Sequence, residues 1–106
     1  MTPEAKVKKQ VTNILKSFGA YYFTPVTGGF GRSGIPDIVA CYRGHFIGIE
    51  CKAGKGVPTA LQLKNLQDIK DQGGVSVVVK EDNIHVVQEI LDRFKNGENH
   101  VETSRT

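Results

Sequence analysis

The sequence predicts an α/β protein in which a central mixed sheet is flanked by helices. Apolar residues recur at helical spacing in three segments, and short β-branched and aromatic runs lie between those segments. The almost uninterrupted apolar run over residues 75–80 is typical of a strand buried on both faces, as in a parallel or mixed sheet. The predicted order is therefore α-β-β-β-α-β-α, in a chain of 106 residues. We expect a single domain over residues 1–95 and a polar, flexible tail over residues 96–106.

The first helix is predicted to begin after Thr2, which can cap it. Pro3 then occupies the first helical position, where its missing N–H costs nothing. The helix is expected to end at Phe18, before a glycine. Its buried stripe consists of Val7, Val11, Ile14, Leu15 and Phe18.

Three strands are predicted next, because three runs are rich in β-branched and aromatic residues. They cover residues 21–26, 35–42 and 45–52. A glycine-rich loop over residues 27–34 separates the first two strands, and Arg43-Gly44 signals a hairpin turn between the second and the third.

The second half of the chain contains a loop, a helix, a strand and a last helix. The loop covers residues 53–58. Thr59 is predicted to cap the helix that follows, with Gln62 at the capping-box position. The last strand and the last helix are expected over residues 75–80 and 84–95.

Composition excludes several classes of protein. The two cysteines, Cys41 and Cys51, have neither zinc-site spacing nor a partner histidine cluster, so both are expected to be reduced core residues. No apolar run reaches the ~20 residues of a membrane span, and no signal peptide is visible, so we expect a cytoplasmic protein without a membrane partner. The net charge of +3 is compatible with a polyanionic partner but does not require one.

The glycine-rich loop formally matches the fingerprint of dinucleotide-binding proteins over residues 29–34. That fingerprint works because its last glycines open a helix whose N-terminus holds the pyrophosphate. Here a strand is predicted to follow the loop, so dinucleotide binding is not expected.

The two strands of the hairpin carry opposed carboxylates. A two-residue turn pairs Tyr42 with His45, and counting back along both strands places Asp37 opposite Glu50, with Cβ atoms ~5 Å apart. Two carboxylates at this distance repel each other unless a cation or a shared proton neutralises them. The pattern therefore predicts a metal ion between them, provided that no bulge at Gly44 shifts the register.

Lys52 lies two residues after Glu50 and therefore on the same face of its strand. Carboxylate and carbonyl oxygens suit Mg²⁺ or Mn²⁺. The alternative is an ordinary exposed sheet face with cross-strand salt bridges. The apolar residues that flank both strands disfavour this alternative, because they place the charges at the margin of a core.

Two further residues have two interpretations each. Gln62 shares its helix stripe with Leu66 and Ile69, so it belongs either to the site or only to the capping box. Glu4 continues the apolar stripe of the first helix, so it either borders the site or only complements the helix dipole.

At these residues the sequence resembles a known family. Gly34-Ile35-Pro36-Asp37, then Ile49-Glu50-Cys51-Lys52, then Thr59 and Gln62 are similar to motifs of the PD-(D/E)XK nuclease superfamily, and specifically of its virus-type replication-repair nuclease (VRR-NUC) domain. The resemblance covers about residues 2–92 and includes the element order. It implies a restriction-endonuclease-like core.

The resemblance implies a site that hydrolyses DNA phosphodiesters and leaves a 5′-phosphate and a 3′-hydroxyl. Asp37, Glu50 and the backbone carbonyl of Cys51 would hold Mg²⁺ or Mn²⁺. Lys52 would orient or help to deprotonate the attacking water, and Gln62 and Glu4 would match supporting positions.

The resemblance also implies a substrate and a partner. Members of the family occur in DNA-repair enzymes and as small viral proteins, and the stand-alone members resemble junction resolvases. A homodimer that cuts four-way junctions is therefore expected. The expected substrate-binding residues are Arg32, Ser33, Lys8, Lys9 and Lys55, although the lysines of the first helix have the alternative of a solvated face.

Three other functions stay open on the sequence. One is a less selective nuclease for flaps or single strands, and another is a non-catalytic DNA-binding module with the same fold. The third is glycoside hydrolysis by a carboxylate pair. Lys52 and the absence of tryptophan fit the third poorly.

Overall fold

The structure, a computed structural model, describes residues 1–26 and 31–103. Its elements confirm the predicted order. They are α1 (Pro3–Ser17), β1 (Tyr21–Phe23), β2 (Ile38–Tyr42), β3 (His45–Cys51), α2 (Ala60–Asp71), β4 (Val75–Val79) and α3 (His85–Lys95).

The first two strands are shorter than predicted. β1 ends before Pro25, and β2 begins after Pro36. Proline has no N–H to donate to a neighbouring strand, so each proline ends the hydrogen-bonded ladder where the apolar pattern alone would continue it.

The four strands form one mixed sheet in the order β1-β2-β3-β4. β1, β2 and β3 are antiparallel neighbours, whereas β3 and β4 are parallel and are connected through α2. The mixed sheet is therefore confirmed. So is the pairing of Tyr42 with His45. Arg43 and Gly44 both have positive φ, at 51° and 84°, as in a two-residue type I′ turn.

Strand periodicity divides the sheet into two faces. One face packs against α1 and α3 and contains the core. Ile38, Ile47, Ile49 and Leu15 are among its buried side chains. On the other face, α2 packs against β3 and β4.

The expected tail is described as far as residue 103. In this part Val101 is buried in the core cluster, and the Thr103 hydroxyl donates a hydrogen bond of 2.8 Å to the carbonyl of Ser76. Val101 and Thr103 therefore pack against the rest of the domain, whereas the Glu102 side chain between them is exposed. No helix among residues 1–26 and 31–103 has the length and apolar character needed to cross a bilayer.

Candidate functional site

The carboxylates of Asp37 and Glu50 come together at one end of the hairpin. Ile38 pairs with Ile49 at the first step of the β2–β3 ladder, and the next step outward places Asp37 opposite Glu50. Glu50 is only 1% exposed. Its Oε2 lies 3.3 Å from the Lys52 ammonium, whereas its Oε1 is buried without a hydrogen-bond partner among the described residues. An unsatisfied buried carboxylate oxygen is costly, and a bound cation would satisfy it.

Burial and, after it, the neighbouring Asp37 carboxylate raise the pKa of Glu50 from 4.5 to about 7, while Lys52 acts in the opposite direction. One ammonium group therefore does not neutralise this carboxylate pair, and either a shared proton or a cation is needed to do so. The pair has the charge and the unsatisfied oxygen that a divalent cation requires.

The backbone of Cys51 supplies a further oxygen. Its N–H donates a hydrogen bond of 2.9 Å to Asp37 Oδ2. In an antiparallel ladder the N–H and the C=O of one residue face the same neighbour, so the Cys51 carbonyl also faces this end of β2. Pro36 occupies the opposing position in the observed register and has no N–H to donate. The ladder therefore leaves this carbonyl available to a cation.

The thiol of Cys51 lies on the core face and is not a metal ligand in this arrangement. Burial and, after it, the carboxylates of Asp37, Glu50 and Glu4 together raise its pKa to about 12. Both cysteines are free, as expected. Cys41, however, is exposed and not part of the core, because no helix in the described part of the chain covers its end of the opposite sheet face.

Several of the expected site residues line one cavity of about 500 Å³. This cavity opens beside Asp37, at the end of the sheet where α1, α2 and the loop before β2 meet. Its lining consists of Lys8, Pro25, Gly31, Arg32, Ser33, Gly34, Ile35, Pro36, Asp37 and Gln62. Residues 27–30 of the predicted glycine-rich loop lie outside the described residues.

Gln62 forms the predicted capping box and also lies at the cavity, while a role in the site stays a prediction. Its Oε1 accepts a hydrogen bond of 2.9 Å from the N–H of Thr59, and the Thr59 hydroxyl accepts one from the N–H of Gln62, which completes the capping box. The same side chain lines the cavity. Glu4 is exposed in the first turn of α1, close enough to Cys51 for its charge to act on the thiol.

The loop before β2 is attached to α2 by two residues that the sequence interpretation did not include. Arg32 forms an ion pair of 3.3 Å with Asp68, and the buried Asn65 amide donates a hydrogen bond of 3.3 Å to the carbonyl of Ser33. Asn65 also bonds to the carbonyl of Leu61. A polar residue one turn after an exposed leucine gives little signal in the sequence, since its burial depends on where the loop lies.

Two of the expected substrate-binding lysines are not brought to this cavity. Lys9 and Lys55 are exposed, and neither belongs to its lining within the described parts of the chain. Lys9 lies one position along α1 from Lys8, which turns its side chain by ~100° away from the cavity.

The described side chains do not by themselves form a metal site. Within residues 1–26 and 31–103, no group of three or more histidine, cysteine, aspartate or glutamate side chains is arranged to hold a metal ion. The candidate ligands at the hairpin are the carboxylates of Asp37 and Glu50 and the backbone carbonyl oxygen of Cys51.

Comparison with known proteins supports the fold. No family model matches the sequence, and no curated protein matches it. Among solved structures, the chain is similar to one described as a VRR_NUC domain, with a TM-score of 0.68 and 21% sequence identity. The similarity covers 89% of this chain and 99% of that one. The chain therefore has the fold of a VRR-NUC domain.

Proposed function

We propose that this protein, with its VRR-NUC fold, is a metal-dependent DNA endonuclease. The observation that carries the proposal is the buried Glu50 carboxylate, which faces Asp37 and has one oxygen without a partner among the described residues. In this proposal Asp37, Glu50 and the Cys51 carbonyl hold Mg²⁺ or Mn²⁺. A bound divalent cation supplies Lewis-acid chemistry, because it lowers the pKa of a water molecule and offsets negative charge on phosphate.

The chain's own residues would bind and orient the substrate. Lys8 and Arg32 place positive charge on the cavity walls, where a backbone phosphate can be held. Lys52, with its ammonium 3.3 Å from Glu50, would position the attacking water and donate a hydrogen bond to the phosphate. Gln62 and Glu4 would support this arrangement from the first turns of α2 and α1. The products would be a 5′-phosphate and a 3′-hydroxyl.

The proposed activity also includes a preferred DNA structure and a dimeric state. We favour branched DNA, such as four-way junctions, cut by a homodimer, because two sites related by a two-fold axis suit paired cuts on a symmetric junction. A less selective flap or single-strand nuclease is the alternative. A non-catalytic DNA-binding module is less well supported, since no member of the Asp37, Glu50 and Lys52 set is missing.

Cleavage assays on a panel of DNA substrates test this proposal directly. Purified protein would be incubated with labelled four-way, flap, single-stranded and linear duplex DNA, with Mg²⁺, with Mn²⁺ and with a chelator. We expect cleavage only with a divalent cation, and fastest on the four-way junction. Absence of cleavage on every substrate would overturn the enzyme proposal, and equal cleavage of all substrates would overturn only the branched-DNA preference.

Two substitutions test the site itself. Asp37→Asn removes a metal ligand and Lys52→Ala removes the ammonium, so each is expected to lower cleavage by ~10²-fold or more while DNA binding is retained. Asp92→Asn and Lys95→Ala, on the exposed side of α3, are the matched controls and should cleave at the wild-type rate. Activity that survives both site substitutions would show that the catalytic centre lies elsewhere.

A further inference from the structure

Among residues 1–26 and 31–103, no helix packs on one half of the sheet on the face that carries the carboxylates. α1 and α3 pack on the opposite face, and α2 packs on this face against β3 and β4. The side chains that β1, β2 and the start of β3 present on the face of α2 remain accessible. We call them the β1–β2 patch: Tyr21, Phe23, Val39, Cys41 and Phe46.

The patch is continuous and rich in aromatic rings. Tyr21 pairs with Cys41, and Cys41 pairs with Phe46, so the three form one row across the strands. Phe23 lies in the next row, and its ring centroid is 6.2 Å from that of Tyr21. Tyr21, Phe23 and Phe46 are 72%, 48% and 46% exposed. With ~150–250 Å² for a whole aromatic side chain, these three rings present roughly 250–400 Å² to solvent.

The composition of the patch fits a protein partner better than DNA. None of its five side chains is charged, whereas DNA-binding surfaces are polar and rich in lysine and arginine. A standard protein interface buries ~800 Å² on each partner, with an apolar and aromatic centre inside a polar rim. The β1–β2 patch has the size and the character of such a centre.

The shape of this face fits a second copy of the chain. α2 stands beside the patch as a ridge, and between them lies a groove of about 420 Å³ to which Phe46, Ile69 and Gln72 contribute. A helix on a sheet is ~10 Å high, which equals the spacing of two directly packed sheets. The height of α2 above the patch therefore matches the gap between two packed sheets. When a two-fold axis relates two copies, the patch of one copy can lie on the patch of the other, and the α2 of each copy lies beside the edge strand of its partner. An isologous contact of this kind needs only one self-complementary surface.

We infer that the β1–β2 patch is the surface on which two copies of this chain associate face to face. Asp37 lies two residues beyond Val39 on the same face, ~7 Å along the strand. Each carboxylate site would thus border the interface, at the end of the patch. Association does not require that the protein cut DNA. Only the use of two sites for paired cuts rests on the proposed function.

Cys41 is a built-in probe of this contact. It is exposed at the centre of the patch, whereas Cys51 is fully buried, so a single chain has one readily alkylated thiol. We would measure the rate of iodoacetamide alkylation over a series of protein concentrations, without DNA or metal. Sedimentation equilibrium would give the mass on the same samples. We expect a dimer at high concentration, with Cys41 alkylated at least ten times more slowly than in the dilute monomer.

Charge placed in the patch should separate the two copies. Phe23→Arg is expected to give a monomer whose Cys41 reacts at the dilute rate at all concentrations, and Tyr21→Arg provides a second variant should the first not fold. Val57→Arg is the matched control, because Val57 is 71% exposed and lines a different cavity. Circular dichroism would confirm folding.

Three results would overturn the inference. The wild-type chain could remain monomeric throughout. A dimer could form that leaves Cys41 fully reactive and persists in Phe23→Arg. In a parallel series with added duplex DNA, Cys41 could instead be protected only when the DNA is present, which would assign the patch to DNA. None of these readouts measures cleavage, so their failure is distinguishable from failure of the proposed nuclease activity.

Discussion

At the scale of single residues, the informative feature is a carboxylate held where its charge is unfavourable. Glu50 is buried, faces a second carboxylate and has an oxygen without a partner among the described residues. Lys52 pairs with its other oxygen only. A carboxylate in such a position reduces the stability of the fold, and its neighbour Asp37 lines a cavity, so the pair points to a site and not to a structural salt bridge.

The raised pKa of Glu50 makes the stability of the cation-free protein depend on pH. Burial and Asp37 raise the pKa from 4.5 to about 7, so the folded state binds this proton more tightly than the unfolded state. The associated stability is present below pH 4.5 and is lost as the pH rises through 7. The loss amounts to about 3 kcal/mol by linkage.

We therefore expect Glu50→Gln, with chelator present, to be more stable than wild type at pH 8 and to lose the decline in stability between pH 5 and pH 8. Urea unfolding at several pH values would measure both. Glu89→Gln, an exposed substitution on α3, should keep the wild-type slope. A wild-type protein whose stability rises over this interval would contradict the stated environment of Glu50.

At the scale of elements, the segment that leads into β2 determines where Asp37 lies. Asn65 and Asp68 of α2 hold this segment at Ser33 and Arg32. Gly34 then has a φ of +76°, and a Cβ placed there would lie 2.6 Å from Cγ of Leu61. Both the backbone conformation and the close approach to α2 require glycine at this position.

The two requirements can be separated by comparing two glycines. Gly19 has nearly the same φ, +75°, but a Cβ there would meet nothing within 4 Å. Gly19→Ala should therefore cost only the ~1 kcal/mol of an unfavourable backbone conformation, and Gly34→Ala a further ~1–3 kcal/mol from overpacking against Leu61. Chemical denaturation of both variants measures the difference. Equal costs would show that the loop does not pack on α2 as described.

At the scale of the whole molecule, stability and the bound cation should be linked. A ligand that binds only the folded state at one hundred times its Kd stabilises it by ~2.7 kcal/mol, and 1 kcal/mol moves the Tm of a domain of ~100 residues by roughly 4–8 °C. We expect Mn²⁺ to raise the Tm of the wild-type chain by about 10 °C or more at pH 8.

Glu50→Gln should show little or none of this Mn²⁺-dependent rise, since it lacks one of the two carboxylates. Differential scanning calorimetry with and without Mn²⁺ provides the comparison, and Glu89→Gln again serves as the matched control. Equal shifts in all three proteins would indicate that the cation binds away from the hairpin.

The local pattern of the chain was sufficient for the elements, the hairpin register and the opposition of Asp37 to Glu50. These features depend on neighbours in sequence: alternation along a strand, capping residues at Thr2 and Thr59, and a two-residue turn at Arg43-Gly44. Strand ends were less well predicted, because Pro25 and Pro36 remove ladder donors that the apolar pattern does not reveal.

Only the tertiary structure decided which side chains surround that hairpin. Lys8 and Gln62 line the cavity while Lys9 and Lys55 do not, and Cys41 is exposed where a core position was expected. Asn65 acquires its role from a loop 32 residues away in sequence. The physical reason is that local geometry determines the direction of a side chain, whereas its surroundings depend on how helices pack on the two faces of the sheet, and that packing joins residues far apart in the chain.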